Sequence, residues 1–226
     1  MLQTWADLTF LHWRLPPSEI QPLLPAGLTV ELIDGSAWVA LVPFRMRDVR
    51  LAGPTPLPWW SDFLELNART YVRGPDGQDG VWFFHLFCSS WSFVGAVRPF
   101  GPPYRLAAAT AAQRGRSYAY RFQRRQDPPG RPLFDARVEA GEPIPSADRT
   151  PLLESLTGRW NAYAVRFGRL LRVPVVHEPW PLHSATVPRR HWRWGSFGLP
   201  EPAGDPLVHF SPGVHARFGP PVLVSR

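Results

Sequence analysis

The chain has 226 residues, 44% of them hydrophobic, so it is long enough to bury a core and is read most simply as one domain over residues 1–226. The net charge of +7 is carried by arginine alone, because all 25 basic side chains are Arg and the sequence contains no lysine. A mechanism that uses a lysine side chain as a Schiff-base nucleophile is therefore excluded.

The basic charge permits anionic partners, but the sequence shows no membrane or redox signature. There is no apolar run of about 18 residues, and the N-terminus lacks the charged start, apolar stretch and cleavage site of a signal peptide. We therefore expect a cytoplasmic protein that does not associate with membranes. The single cysteine, Cys88, lies in the apolar run VWFFHLFC and is predicted to be a buried, unreactive thiol.

The N-terminal part of the sequence favours short strands and turns. Its predicted elements are a strand at 8–13, a short helix at 18–27, and strands at 28–34 and 37–50. Ser18 is the predicted N-cap of the helix, and Gly27 ends it. Asp34 and Gly35 form a turn typical of a β-hairpin, so the strands on either side of them are predicted to pair.

A proline-rich loop and a second hairpin follow. The loop, residues 51–62, contains two adjacent tryptophans and is either a lid or a packed surface loop. Beyond it, strands at 63–73 and 80–89 flank a glycine-rich turn and are predicted to form a hairpin.

The first strand of this hairpin has one polar face. Side chains alternate between the two faces of a strand, so Glu65, Asn67 and Arg69 lie on one face and the apolar residues between them on the other. The second strand is apolar on both faces, which indicates burial on both sides. The polar row therefore faces an enclosed space, where its groups are paired, hydrated or available to a ligand.

The remaining pattern is that of a β-rich α+β protein with a few short helices. The predicted elements are a short helix within 89–101, strands at 104–113, 116–125 and 131–144, a helix over 150–158, strands within 169–187, and short strands near 207–210 and 214–218. The helix at 150–158 has Thr150 as its N-cap, Pro151 at its first position and Gly158 as its stop. The sum predicts a curved or partly closed sheet around an interior pocket.

Five runs follow one another along the chain: LHWRLPPSEIQPLLPAGL, ELNARTYVRGPDGQDGVWFF, GPPYRLA, LLESLTGRWNAYA and HEPWPLHSATV. Together they resemble the YqjF-like family of uncharacterised conserved proteins, whose fold is related to that of acetoacetate decarboxylase. The resemblance implies a strongly bent, mostly antiparallel sheet that forms an open barrel around a buried pocket. It also suggests a homo-oligomer, because relatives by fold assemble into oligomers.

The resemblance does not carry the decarboxylase chemistry with it. Acetoacetate decarboxylases have a Gly-Phe-Pro-Lys-Lys run, whose first lysine forms the Schiff base. The similar run here is Gly101-Pro102-Pro103-Tyr104-Arg105, so Tyr104 stands where the nucleophile would be, and a phenol cannot form an imine.

The candidate site residues follow from the polar row and from the resemblance. In one interpretation Arg69 binds a carboxylate or phosphate, Glu65 acts as acid or base, and Asn67 lies between them. In the other, Glu65 and Arg69 form an internal network that only stabilises the pocket wall. Tyr104 is the second candidate catalytic residue, and Arg105 beside it is a candidate ligand-binding residue.

The other candidate ligand-binding residues are His85, Arg159 and Tyr163. His85 is the histidine most suited to the pocket, although a histidine among aromatic residues is usually a core residue. For Arg159 and Tyr163 the alternative role is surface salt bridging. The histidines of HEPWPLH and those near the C-terminus match no recognised metal spacing, so we expect no metal site and no cofactor.

Two functions remain open from the sequence. The first is binding of a small anionic, carboxylate-like molecule in the internal pocket, with acid–base chemistry if the protein is an enzyme. The alternative is a non-enzymatic interaction module, whose arginine-rich surface binds nucleic acid or an acidic partner. The alternative rests on the segment RGRSYAYRFQRR, which mixes arginine and aromatic residues. On a strand, however, Tyr118, Tyr120 and Phe122 share one face and are expected to belong to the core. Nucleic-acid binding is therefore the weaker of the two hypotheses.

Overall fold

The computed structural model of the protein describes residues 1–50 and 62–224. The predicted proline-rich loop thus lies outside the described residues, apart from Asp62. The strands are β1 (Leu2–Leu15), β2 (Thr29–Val30), β3 (Ala37–Arg50), β4 (Asp62–Arg73), β5 (Asp79–Cys88), β6 (Tyr104–Arg114), β7 (Ser117–Arg124), β8 (Phe134–Pro143), β9 (Asn161–Arg166), β10 (Arg169–His177), β11 (His183–Trp192), β12 (Leu207–Phe218) and β13 (Val222–Leu223). The α-helices are α1 (Pro17–Ile20), α2 (Trp91–Val97) and α3 (Pro151–Thr157), and short 3-10 turns lie at Gln21–Leu23, Arg98–Phe100, Ser146–Asp148 and Trp194–Phe197.

All of these strands belong to one mostly antiparallel sheet, which is bent so strongly that its pairings close two rings. The first ring runs β1-β3-β4-β5-β9-β10-β12 and returns to β1. The second ring runs β5-β6-β7-β8-β11-β12-β1-β3-β4 and returns to β5. The two rings share the wall β12-β1-β3-β4-β5, and the parallel pairs of β5 with β6 and β9 join that wall to the rest.

The shared wall explains why β4 has two different faces. Leu64, Leu66 and Ala68 point into the second ring, which is filled by the largest hydrophobic core cluster. Glu65, Asn67 and Arg69 point into the first ring, which contains a cavity. The alternation predicted from the sequence is confirmed, and the polar face of β4 lies against this cavity.

Helices α2 and α3 lie at the ends of the first ring, and each has a side-chain N-cap. Ser90 accepts a hydrogen bond from the Phe93 amide at the start of α2 (3.3 Å). Thr150 accepts one from the Leu153 amide at the start of α3 (3.2 Å), as predicted. At α1 the prediction is wrong in detail, since the helix begins at Pro17 with no side-chain cap and Ser18 lies inside it.

The predicted hairpin around Asp34 and Gly35 is also wrong in its pairing. The turn exists, with both residues at positive φ, but only the Ile33–Ser36 bridge closes it. Strand β2 instead pairs with the far end of β4, where Thr29 lies opposite Arg73. Turn residues determine where the chain reverses locally, whereas long-range packing determines which strands pair.

The arginine-rich segment has the orientation expected from its pattern. Tyr120 and Phe122 are buried in the core. Arg121 lies 2.8 Å from Asp135, and Arg124 lies 2.8 Å from Asp127. These ion pairs neutralise much of the positive charge that a nucleic-acid surface would need. Among the described residues, no helix is long and apolar enough to cross a membrane.

Candidate active site

The cavity inside the first ring has a volume of about 520 Å³. Each strand of the ring contributes to its wall, and the wall is mostly apolar, with Trp5, Phe44, Phe83 and Val175 among its residues. Phe93 of α2 and Tyr104 of β6 lie at one end, and Thr157 of α3 lies at the other. A concave apolar space with a few polar groups is the usual form of a small-molecule site.

Glu65 is the acidic group of the cavity and is buried. The Tyr104 hydroxyl donates a hydrogen bond to Oε2 of Glu65 over 3.1 Å. Burial raises the pKa of Glu65 to about 8, although the hydrogen bonds from Tyr104 and Asn67 act in the opposite direction. Glu65 is therefore mainly protonated at neutral pH, where it can donate a hydrogen bond or a proton.

Tyr104 remains a neutral phenol beside this acid. Burial and the neighbouring Glu65 raise its pKa well above the usual value for tyrosine. The thiol of Cys88 lies close by, and burial raises its pKa as well. Cys88 is buried, as predicted, and its lack of reactivity stays a prediction. Among the described residues, this end of the cavity thus offers neutral donors at neutral pH.

Arg69 is a cavity cation with no ion-pair partner among the described residues, although its side chain hydrogen-bonds to Tyr71. Its Nε and Nη2 atoms are buried and have no hydrogen-bond partner among the described residues. The guanidinium carbon lies 5.5 Å from the Phe10 ring centre and 5.8 Å from that of Tyr71. No carboxylate of the described part of the chain forms an ion pair with it, so the internal Glu65–Arg69 pair considered from the sequence does not form. Buried donors without partners cost stability unless a ligand or water satisfies them.

Arg159 and Tyr163 also line the cavity, but their polar atoms are bonded within the protein. Nη1 of Arg159 lies 2.5 Å from Glu31 and 2.7 Å from Asp79, and its Nε donates to a backbone carbonyl of α3. The Tyr163 hydroxyl donates to the backbone carbonyl of Gln78 over 2.9 Å. These contacts stabilise the wall, and a ligand-binding role for either residue stays a prediction.

His85 and Arg105 do not line the cavity. The pairing of β4 with β5 has a bulge, at which Ala68 lies opposite His85 while Arg69 lies opposite Phe83. The extra residue reverses the alternation of β5, so His85 packs against Phe87 in the second ring. Arg105 follows Tyr104 on one strand, and because Tyr104 faces the cavity, Arg105 is exposed on the opposite face.

His177 lines the cavity and was considered in the sequence only as a metal ligand. Its ring stacks on Trp160, and its Nδ1 lies 2.6 Å from the carbonyl oxygen of Glu178. A carbonyl can only accept, so Nδ1 carries the proton and Nε2 is left as an acceptor. Burial is the main cause of a lowered pKa for His177, and the charge of Arg69 adds to it, so His177 is neutral at pH 7.

A signal for His177 was present in the sequence. Val173, Val175 and His177 alternate along β10, and all three line the cavity. Within the described residues, no three His, Cys, Asp or Glu side chains lie close enough to hold a metal ion.

The fold is that of the acetoacetate-decarboxylase-like enzymes. The chain superposes on such an enzyme from Sphingomonas wittichii RW1 with a TM-score of 0.66 and 16% identity, over 99% of this chain and 92% of the other. It superposes on the enduracididine biosynthesis enzyme MppR with bound HEPES buffer with a TM-score of 0.69 and 13% identity, over 99% and 87% of the two chains. MppR is also known in complex with pyruvate.

Within that fold, the family is shown by sequence. The model of the family DUF2071, described as uncharacterized conserved protein, matches residues 2–215. The uncharacterized protein YqjF of Bacillus subtilis (strain 168) is 29% identical over 228 residues, which cover 97% of this chain and 90% of the relative. The chain belongs to the DUF2071 family, and the resemblance identified in the sequence is confirmed.

Proposed function

We propose that the protein binds a small organic anion, with its carboxylate against Arg69, in the cavity of the first ring. The observation that carries the proposal is the Arg69 guanidinium, whose buried Nε and Nη2 atoms have no hydrogen-bond partner among the described residues. A carboxylate accepts two parallel hydrogen bonds from such a group and neutralises its charge. The pyruvate bound by MppR, a protein of the same fold, agrees with a carboxylate ligand.

Glu65 is the group that we propose for chemistry on this ligand. It is protonated at neutral pH and buried, so it can donate to a carbonyl or hydroxyl oxygen that lies beside it. Tyr104 holds it in place through the 3.1 Å hydrogen bond. Acid–base chemistry with Glu65 as the acid is therefore the reaction type that this cavity supports, and it needs no lysine.

Replacement of Arg69 by methionine tests the anion site. We expect at least a 100-fold loss of affinity for any carboxylate that binds the native protein, since a buried charge-assisted hydrogen-bond pair contributes about 1.5–3 kcal/mol per bond. Isothermal titration calorimetry, after a thermal-shift screen of monocarboxylates, measures the loss.

Arg137→Met is the matched control for Arg69→Met. It removes the same charge from an exposed arginine of β8, which is not part of the cavity wall. Affinity should stay unchanged in this control. Equal affinity in Arg69→Met and native protein, or a folded native protein that binds no carboxylate, contradicts the proposal.

A further inference from the structure

The two polar ends of the cavity are well separated. Glu65 and Arg69 lie four residues apart on one strand, so their backbone positions are about 13 Å apart. Electrostatics agree with this distance: the charge of Arg69 lowers the pKa of His12 and His177 but is not among the causes that shift the pKa of Glu65. A ligand that reaches both groups must therefore be elongated.

The wall between these ends is apolar. Leu8, Phe44, Phe83 and Leu86 line it, and Asn67 is the polar residue of β4 between Glu65 and Arg69. An apolar wall favours a hydrocarbon midsection, because burial of apolar surface contributes about 25 cal/mol per Å². A ligand that is polar along its whole length would lose most of its hydration here, because only Asn67, whose Oδ1 has no hydrogen-bond partner among the described residues, could compensate it.

Among the described residues, the cavity has one positively charged side chain without a carboxylate partner. Arg159 is neutralised by Glu31 and Asp79, Glu65 is mainly protonated and His177 is neutral. The α-ammonium group of Met1, which also lines the cavity, donates a hydrogen bond to the carbonyl oxygen of Phe218 over 3.2 Å. Arg69 is therefore the described cavity side chain that remains to neutralise a ligand charge. A second anionic group would lie near Glu65, where burial already disfavours a negative charge.

We infer that the ligand is an elongated monocarboxylate: its carboxylate binds Arg69, its midsection is apolar, and an uncharged oxygen at the far end accepts a hydrogen bond from Glu65. The inference rests on the proposed function and narrows it. With the two side-chain ends as far apart as their backbone positions and a hydrogen bond at each end, the two ligand oxygens lie about 7 Å apart, which is longer than a three-carbon keto acid. A cavity of about 520 Å³ leaves room beside such a chain for branches or rings.

A series of carboxylates tests length, acceptor and charge, with titration calorimetry as the measurement. The length series is pyruvate, levulinate and 6-oxoheptanoate. Heptanoate has the same length as the last compound but lacks the ketone, and pimelate is heptanoate with its terminal methyl group replaced by a second carboxylate. We expect 6-oxoheptanoate to bind at least ten-fold more tightly than pyruvate, heptanoate or pimelate.

Variants of Glu65 test whether this residue binds the uncharged oxygen at the far end of the ligand. In Glu65→Met the advantage of 6-oxoheptanoate over heptanoate should disappear, whereas Glu65→Gln should keep it, because an amide still donates a hydrogen bond. Melting temperatures of both variants establish that they are folded, and Glu65→Gln keeps the test valid if Glu65→Met does not fold.

The possible outcomes distinguish a failure of the anion site at Arg69 from a failure of the inference that the ligand is elongated. If pyruvate binds as tightly as 6-oxoheptanoate and both depend on Arg69, the anion site stands and the elongated ligand is wrong. Equal binding of pimelate, or a ketone advantage that survives in Glu65→Met, likewise overturns the inference. If no compound of the series binds in a way that depends on Arg69, the proposed function itself is wrong.

Discussion

Glu65→Gln is expected to raise the free energy of unfolding by about 3 kcal/mol at pH 7 relative to the native protein. The cause is the pKa of Glu65, which burial raises from an ordinary 4.5 to about 8 in the folded state. Between these two values the unfolded chain has lost the proton and the folded chain still holds it. Folding must then take up a proton, which becomes less favourable as pH rises.

Because the pKa of Glu65 is raised in the folded state, the stability difference between the two proteins changes only within a particular pH range. Below the ordinary pKa both states are protonated, and Glu65 adds no pH dependence. From there to about pH 8 the native protein should lose about 1.4 kcal/mol per pH unit relative to Glu65→Gln, whose side chain does not titrate. Above that range the difference becomes constant.

Urea unfolding of both proteins at pH 5, 6, 7 and 8 measures this effect. The difference between the two curves is the informative quantity, because every other titrating group contributes equally to both. Glu19→Gln is the matched control: it removes the same charge from an exposed residue of α1 and should run parallel to the native protein. Parallel curves for Glu65→Gln would show that Glu65 is ionised in the folded state.

Such a loss of stability is what a functional site is expected to cost. A buried acid that stays protonated at neutral pH and a buried guanidinium without a counterion both destabilise the folded state. In this cavity the two occur on one face of β4, at Glu65 and Arg69. Their separation by an apolar wall explains why neither neutralises the other.

Features of the site that depend on neighbouring residues of the chain could be predicted from the sequence. Features that depend on how distant strands pair could not. Alternation within β4 placed Glu65, Asn67 and Arg69 together, because side-chain direction along a strand is a local property. The Thr150 cap of α3 was equally local. The bulge that turns His85 away is set by how β5 pairs with β4, so no pattern within β5 announces it.

The electrostatic state of the site depended on the tertiary structure. Arginine is abundant in this chain, and the sequence does not say which guanidinium has a partner. The fold brings Glu31 and Asp79, from distant parts of the chain, to Arg159, and it brings no carboxylate of the described residues to Arg69. The raised pKa of Glu65 likewise follows from closure of the ring around it.

Arg159→Met is expected to lower the free energy of unfolding by about 3 kcal/mol, because it removes the buried cation that Glu31 and Asp79 share. The Arg159 side chain is only 6% exposed, and Nη1 lies 2.5 Å from Glu31 and 2.7 Å from Asp79. Its guanidinium carbon also lies 5.1 Å from the ring centre of Tyr71. The variant thus loses an ion-pair network, a hydrogen bond to α3 and a cation–π contact in one step.

Arg73→Met is the control that distinguishes the effect of losing a buried arginine from the effect of losing an arginine charge beside Glu31. Arg73 pairs with the same Glu31 over 2.8 Å, but its side chain is 52% exposed, so its loss should cost less than about 1 kcal/mol. Denaturant unfolding of both variants at one pH gives the comparison. Equal losses would mean that water screens the Glu31–Arg159–Asp79 network as well. A larger loss for Arg159 would show that the buried Glu31–Arg159–Asp79 network stabilises the fold more than the exposed Arg73–Glu31 pair does.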